Sequence, residues 1–255
     1  MRRTTALKIL AYGYLSILAG VLLTEEGRQN LREFLGAGIL IGFFLAVAWF
    51  RDRPRAGAME AEARKLGLRY SEKDTFGMLE EPFLLFRRTR KSYGDVDNVL
   101  FGTWHGFEVR VFDYEYMIGE NNWRRLSGAV IAIPGGWPTL AVRPETLVTA
   151  AGDQLALPGI EFESEMFNRA FDVRSDDPGF ASALIDARMM EWLLDHAPRP
   201  GFEISGGWIL GYRDQVQPWQ VDSVLSMLES FVDRIPRAVR SLYPEALLPR
   251  TDVHR

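Results

Sequence analysis

Asp113 and Glu115 are the two residues whose type and spacing come nearest to a catalytic pair in this chain. They stand two positions apart in the β-rich run Phe107–Tyr116, so both fall on one face of a predicted strand, about 6.5–7 Å apart. Paired carboxylates at such a distance can carry out acid–base hydrolysis. Apolar residues such as Val109 and Val111 share that face, however, which favours a strand that emerges into solvent at its end.

Other residues suited to catalysis or metal binding are sparse. His105 lies in a predicted turn, His196 at a predicted helix end and His254 beside the C-terminus, and none has metal-ligand spacing. The chain has no cysteine, which excludes disulfides, thiol catalysis and thiolate metal sites. Phosphate-binding loops, nucleophile elbows and zinc-protease motifs are also missing from the sequence. We therefore expect no metal and no cofactor.

Two acidic patterns have structural explanations. Glu161, Glu163 and Glu165 alternate, which predicts a solvated strand face and leaves a cation site as the alternative. Asp95–Asn98 begins like a calcium-binding loop, but Leu100 stands where that loop needs glycine.

The charged residues are distributed unevenly along the chain. Residues 1–55 hold eight basic and four acidic side chains, so residues 56–255 carry a net charge of −8 within a total of −4. An acidic domain repels nucleic acid, which we therefore exclude as a partner. Its one basic cluster, residues 87–91, is either a solvated loop or a contact with anionic lipid headgroups. The residues expected at the membrane surface are Arg51, Arg53, Arg55, Arg87, Arg88, Arg90 and Lys91.

Two apolar stretches, Ile9–Leu23 and Phe34–Phe50, predict where the protein is located. Counted as spans of about residues 4–24 and 34–50, they are long enough to cross a bilayer as a helical hairpin. Basic residues flank the outer ends of the pair, which predicts a multi-pass protein of the cell membrane with both termini in the cytoplasm. Alternatives for the first stretch are an export signal or an interfacial amphipathic helix.

Small residues four positions apart occur in both stretches. Gly38 and Gly42 form one such pair, and Ser16 and Gly20 form the other. Pairs of this kind let helix backbones approach closely within lipid. They predict that the two spans pack on each other. The more specific alternative is self-association of two copies through the helix face that contains Gly38.

Residues 56–255 predict one cytoplasmic α+β domain. Turn residues place β-hairpins around His105-Gly106, Pro134–Pro138 and Gly206-Gly207. Helices are expected at Ala56–Leu66, from Asp177 to about Leu194, and at Trp219–Ile235, where apolar residues recur at helical spacing. The expected architecture is a mainly antiparallel, hairpin-rich sheet with helices on one face.

Two patterns in this domain resemble a known family. One is the run Glu161–Asp177 with the apolar positions that follow it, and the other is the strand pair between Asn98 and Tyr116. Both are similar to an uncharacterised family of bacterial membrane-anchored proteins with paired N-terminal spans. The resemblance covers roughly Leu66 to Tyr212. It implies membrane anchoring and one α+β unit, and it implies no activity.

The sequence therefore favours a non-enzymatic, membrane-anchored cytoplasmic domain. Its expected partners are the lipid bilayer and either another protein or a second copy bound through the apolar helices. The alternative is a membrane-bound hydrolase that uses Asp113 and Glu115.

Overall fold

The computed structural model describes residues 55–87, 94–118, 122–133, 136–145 and 157–243. The chain divides into two units, Met1–Ala58 and Met59–Arg255. Of the first unit, only helix residues 55–58 are described. Within the described residues, no helix is long and apolar enough to cross a membrane. The predicted anchor, including Ser16, Gly20, Gly38 and Gly42, lies outside the described residues and stays a prediction.

In its described part, the second unit is built on one sheet of nine strands, and every strand pairing in it is antiparallel. The spatial order is β1-β2-β3-β4-β9-β8-β5-β7-β6. The strands are β1 (Arg69–Lys73), β2 (Gly94–Trp104), β3 (Phe107–Ile118), β4 (Asn122–Ala132), β5 (Leu140–Pro144), β6 (Gly159–Ile160), β7 (Phe171–Ser175), β8 (Gly201–Ser205) and β9 (Trp208–Asp214). The predicted α+β class and the mainly antiparallel sheet are confirmed.

Helices cover both faces of this sheet, with the longer ones on one face. The helices are α1 (residues 55–65), α2 (Leu84–Arg87), α3 (Glu165–Ala170), α4 (Pro178–Leu184), α5 (Ala187–Asp195), α6 (Val221–Arg234) and α7 (Arg237–Leu242). All except α2 contribute to one apolar cluster with Val109 and Val111 of β3; we call this side the helix face. Phe112, the residue after Val111, points to the opposite face, where Phe83 and Phe86 cover it. The prediction that helices cover one face of the sheet is therefore incomplete, because α2 lies on the opposite face.

The hairpins predicted from two-residue turns with positive φ are confirmed. His105 and Gly106 adopt φ values of 48° and 87° between β2 and β3. Gly206 and Gly207 adopt 60° and 85° between β8 and β9. These left-handed conformations match the twist of the flanking strands in a type I′ turn.

The hairpin predicted around residues 134–138 is wrong. β4 and β5 are separated in the sheet by β9 and β8. β4 pairs instead with β9, in a ladder that runs without a break from Leu126↔Asp214 to Ala132↔Trp208. The five-residue β5 could not offer a ladder of that length.

Two other expectations differ from the structure, because in each place a side-chain cap begins a helix. The helix predicted from Asp177 to Leu194 is divided into α4 and α5, because Asp186 accepts a hydrogen bond from Met189 N (2.9 Å) and caps a new helix. The strand face predicted for Glu161, Glu163 and Glu165 is wrong, because β6 ends at Ile160 and Glu165 begins α3, which Ser164 caps.

The apolar stripe predicted for the last long helix is confirmed. Val221, Val224, Leu225, Leu228, Phe231 and Val232 of α6 are all buried, as is Ile235 just after it. Gly211 of β9 lets this helix approach closely, because a Cβ there would stand 3.1 Å from Met227 Cε and 3.2 Å from Leu228 Cδ1. Phe231 stacks on Phe202 of β8 at a centroid distance of 4.3 Å.

Replacing Phe231 with alanine should destabilise the protein strongly, because a fully buried ring leaves a cavity. We expect a loss of about 3–5 kcal/mol and a melting temperature lower by about 10 °C. Thermal unfolding of the detergent-solubilised protein, followed by near-UV circular dichroism, measures this. Ser226→Ala on the exposed side of α6 is the matched control. Equal melting temperatures for both variants would show that the stripe is not part of the core.

Candidate functional site

A row of polar side chains crosses the helix face at the end of the sheet where β3 leaves the core. Asp113 of β3 lies opposite Ser127 of β4, and Ser127 lies opposite Arg213 of β9. Asn98 of β2 completes this polar row. The four residues lie on four neighbouring strands, so the sheet brings them together although the sequence separates them.

Asp113 is the centre of the polar row. Its side chain is buried, with only 2% of the residue exposed. Asn98 Nδ2 donates a hydrogen bond to Asp113 Oδ2 (3.1 Å), and Ser127 Oγ donates one to Asp113 Oδ1 (3.0 Å). A buried carboxylate needs such donors, because an unpaired charge in the interior is costly.

Hydrogen bonds extend the polar row in both directions. The Tyr70 hydroxyl on β1 donates to Asn98 Oδ1 (2.9 Å). At the other end, the backbone N–H of Val216 donates to Ser127 Oγ (3.2 Å). The network thus joins the edge strand β1 to the loop that leads into α6. This continuity points to a structural task, which is to fix the positions of four strands and one loop.

Asn98 reaches the polar row because β2 is irregular at this position. The register with β3 shifts between Asp97 and Leu100, which marks a bulge. Asn98 has a φ of 51°, a left-handed conformation that asparagine tolerates better than most residues. The sequence pattern compares Asn98 only with a calcium-binding loop and a family strand pair, and it gives no sign of this role.

The hydroxyl of Tyr70 is held in its protonated form. Burial raises the pKa of Tyr70 well above its ordinary value, and the negative charges of Glu72, Asp97, Glu60 and Asp113 raise that pKa further. The hydroxyl therefore remains a hydrogen-bond donor throughout the physiological pH range.

Glu115 does not join Asp113 in an accessible acid–base pair. Arg125 Nε donates to Glu115 Oε1 (3.1 Å) across β3 and β4, in a partly exposed ion pair. Both carboxylates take part in further interactions as well. Asp113, being buried and bonded on both oxygens, is out of reach of a substrate. The predicted common face is present, but the geometry favours a structural pair of residues over a catalytic one.

A second buried carboxylate, Glu203 of β8, was not singled out from the sequence. Only 1% of the residue is exposed, and it accepts hydrogen bonds from the backbone N–H groups of Leu84 (2.6 Å) and Leu85 (3.0 Å). These bonds fasten α2 to the opposite face of the sheet. No sequence signal could have found this contact, since it joins segments far apart in the chain.

The described histidines have local partners. His105 Nδ1 lies 2.9 Å from Glu229 Oε1 in an exposed contact. His196 Nδ1 donates to the carbonyl of Trp192 (2.7 Å) at the end of α5. Among the residues that the structure describes, no group of three or more His, Asp or Glu side chains is placed to hold a metal ion.

The residues expected at the membrane surface are only partly described. Arg87 is exposed at the end of α2, and Arg55 is the first described residue of α1. The contact of this set with lipid stays a prediction. The others lie outside the described residues: Arg51, Arg53, Arg88, Arg90 and Lys91.

No protein-family model matches the chain, and no curated protein is similar to it in sequence. A solved structure, however, shares its fold. The chain is similar to the mycobacterial trehalose monomycolate transport factor A, TtfA. The similarity covers 72% of this chain and 97% of the TtfA chain, with a TM-score of 0.55 and 13% sequence identity. At this identity the likeness to TtfA shows the fold alone. The uncharacterised bacterial family noted in the sequence is not supported by any matching family model.

Asp113 and Glu115 should differ in their effect on stability. Asp113→Asn replaces one accepting oxygen with an NH₂ group, so either Asn98 or Ser127 then faces a donor. We expect a loss of about 1–3 kcal/mol for this buried change. Glu115→Gln weakens partly exposed interactions, among them the ion pair with Arg125, and should cost less than about 1 kcal/mol. Thermal unfolding of both variants checks this order, and a reversed order would contradict the structural role assigned to Asp113.

Proposed function

We propose that the protein is a non-enzymatic, membrane-anchored factor for lipid transport, whose α+β domain binds a protein partner at the membrane. The observation that carries this proposal is the likeness to TtfA, because it extends over 97% of that chain. TtfA is described as a transport factor for trehalose monomycolate, a lipid. For the present chain we propose the same class of role, a scaffold in lipid transport, with no commitment to that lipid.

The polar row supports a role without catalysis. Asp113 and Glu115 were the strongest catalytic candidates in the sequence, and each is bonded in a way that stabilises the sheet. A binding domain needs a rigid frame rather than a reactive centre. The network from Tyr70 to Val216 supplies such rigidity by tying β1, β2, β3 and β4 to the loop before α6.

The apolar stretches Ile9–Leu23 and Phe34–Phe50 support the membrane anchor. As a helical hairpin they would hold the domain beside the bilayer, where a lipid-transport partner is located. The pairs Gly38/Gly42 and Ser16/Gly20 would pack the hairpin or join two copies of it. The charge distribution supports a cytoplasmic location for the domain and both termini.

A deletion strain tests the proposed transport role. We expect such a strain to retain surface lipids at the inner membrane while their total synthesis is unchanged, as measured by fractionation and lipid chromatography. The Glu115→Gln variant should restore the normal distribution, because this carboxylate is proposed to do no chemistry. A chain without residues 1–50 should fail to restore it, because it lacks the anchor.

Two results would contradict this function. An unchanged lipid distribution in the deletion strain would exclude the transport role. Failure of Glu115→Gln to complement, at a normal level of membrane-bound protein, would favour the hydrolase instead.

Membrane topology can be tested separately, because the chain has no native cysteine. Single cysteines at Gln29 and Thr251 should differ in labelling by an impermeant thiol reagent. We expect only the cysteine at position 29 to react in intact cells, since it lies in the link between the two spans. Labelling at position 251 in intact cells would place the domain outside the cytoplasm.

A further inference from the structure

Two strands near one edge of the sheet carry charged side chains on the face opposite to the long helices. Arg143 of β5 lies directly across from Asp172 of β7, and Arg174 follows two positions along β7. Val142 and Val173 belong to the apolar cluster of the helix face. Because side chains alternate along a strand, the charged residues beside these valines point to the opposite face. We call Arg143, Asp172 and Arg174 the arginine cluster.

Both arginines of this cluster donate to the same carboxylate. Arg143 Nη2 donates a hydrogen bond to Asp172 Oδ2. Arg174 Nε donates to the same oxygen (3.1 Å) and to Asp172 Oδ1 (3.2 Å). A guanidinium group carries five N–H donors, whereas a carboxylate has about four lone-pair sites. Asp172 therefore has little capacity left for the other N–H groups of Arg143.

Arg143 has a buried donor that no group accepts. Only 5% of the residue is exposed, and its Nε atom is buried without a hydrogen-bond partner. Arg174 differs, because its Nη1 also donates to the carbonyl oxygen of Leu157 (3.3 Å). A buried N–H group without an acceptor is costly, and a bound ion is one of the explanations for such a group in a native protein.

Two other described arginines have a buried Nε atom without a partner, and their surroundings differ. The guanidinium of Arg110 lies over the rings of Phe76 (4.4 Å to the centroid) and Trp208 (4.5 Å). Cation–π contacts of this kind stabilise its charge. Arg213 is only partly buried, so it remains in contact with solvent. Of the three, Arg143 combines deep burial with a place in a cluster that holds a second guanidinium group.

The arginine cluster has a partly exposed rim. The side chains of Asp172 and Arg174 are 15% and 17% exposed, against 6% for Arg143. Beyond β7, the described sheet continues only with the two-residue β6, which pairs with Val173 and Arg174. On the other side of β5, Glu203 of β8 accepts hydrogen bonds from the start of α2. A small ligand therefore has a route to the cluster from the side of β7.

We propose that Arg143 and Arg174 form a binding site for a small oxyanion of the phosphate class, either free phosphate or a phosphate monoester. Arginine suits such a ligand because its planar guanidinium group donates two parallel hydrogen bonds to neighbouring oxygens. A phosphate group has enough oxygens to accept from both arginines at once, including the donor of Arg143 that Asp172 leaves unused. This inference depends neither on the membrane anchor nor on the transport role.

Isothermal titration calorimetry with inorganic phosphate tests the site in the detergent-solubilised full-length protein, at constant ionic strength. We expect one saturable site. Arg143→Gln should weaken binding by about tenfold or more, because it removes charge-assisted donors. Asp172→Asn should strengthen binding by about threefold or more, because it removes a negative charge beside the oxyanion. The matched control is Arg169→Gln, which changes an exposed arginine of α3 paired with Glu165 and should leave the affinity unchanged.

A second titration with glycerol 3-phosphate distinguishes the two sources of the phosphate group. Similar affinity for both probes would identify a phosphate monoester as the ligand, and binding of inorganic phosphate alone would identify the free ion. Absence of saturable binding of either probe would overturn the site, as would equal affinities in the parent chain and Arg143→Gln. If Arg143→Gln does not fold, an affinity of Asp172→Asn no higher than that of the parent would overturn it.

Discussion

The pairing of β4 with β9 is the contact on which the rest of the domain depends. It joins a meander, β1 to β4, to the strands that follow it in the second half of the chain. Apolar residues line both sides of the seam, with Ile131 beside Ile209 on the helix face and Val130 beside Leu210 on the opposite face. Helix α6 packs across both strands. Because the partners are far apart in sequence, this ladder must close a long loop, which makes it a slow step in folding.

Local chemistry determined which parts of the fold were predictable. The turns at His105-Gly106 and Gly206-Gly207 need only two residues with positive φ, and the stripe of α6 needs only its own helical period. The strand that pairs with β4 and the break between α4 and α5 were not predicted, because in each case two structures compete for the same residues. Two apolar strands compete for β4, and Asp186 competes as a cap against a continuous helix. A single sequence shows the competitors without showing which of them is more stable.

The same limit applies to the candidate site. The sequence placed Asp113 and Glu115 on one face of a strand, and the structure agrees. It could not show that Asn98 and Ser127 would come from two other strands to saturate the Asp113 carboxylate. Hydrogen bonds of this kind convert a reactive residue type into a structural one. Asp113 therefore stabilises the frame of the sheet.

The outermost strand β1 also limits how the domain can associate. Among the described strands its outer edge has no partner and is short, and Arg69, Glu72 and Lys73 along it are exposed and charged. An incoming strand would have to desolvate these charges before it could extend the sheet, which protects natural edge strands from aggregation. Even at high local concentration, copies of this domain are therefore kept from fusing their sheets at β1.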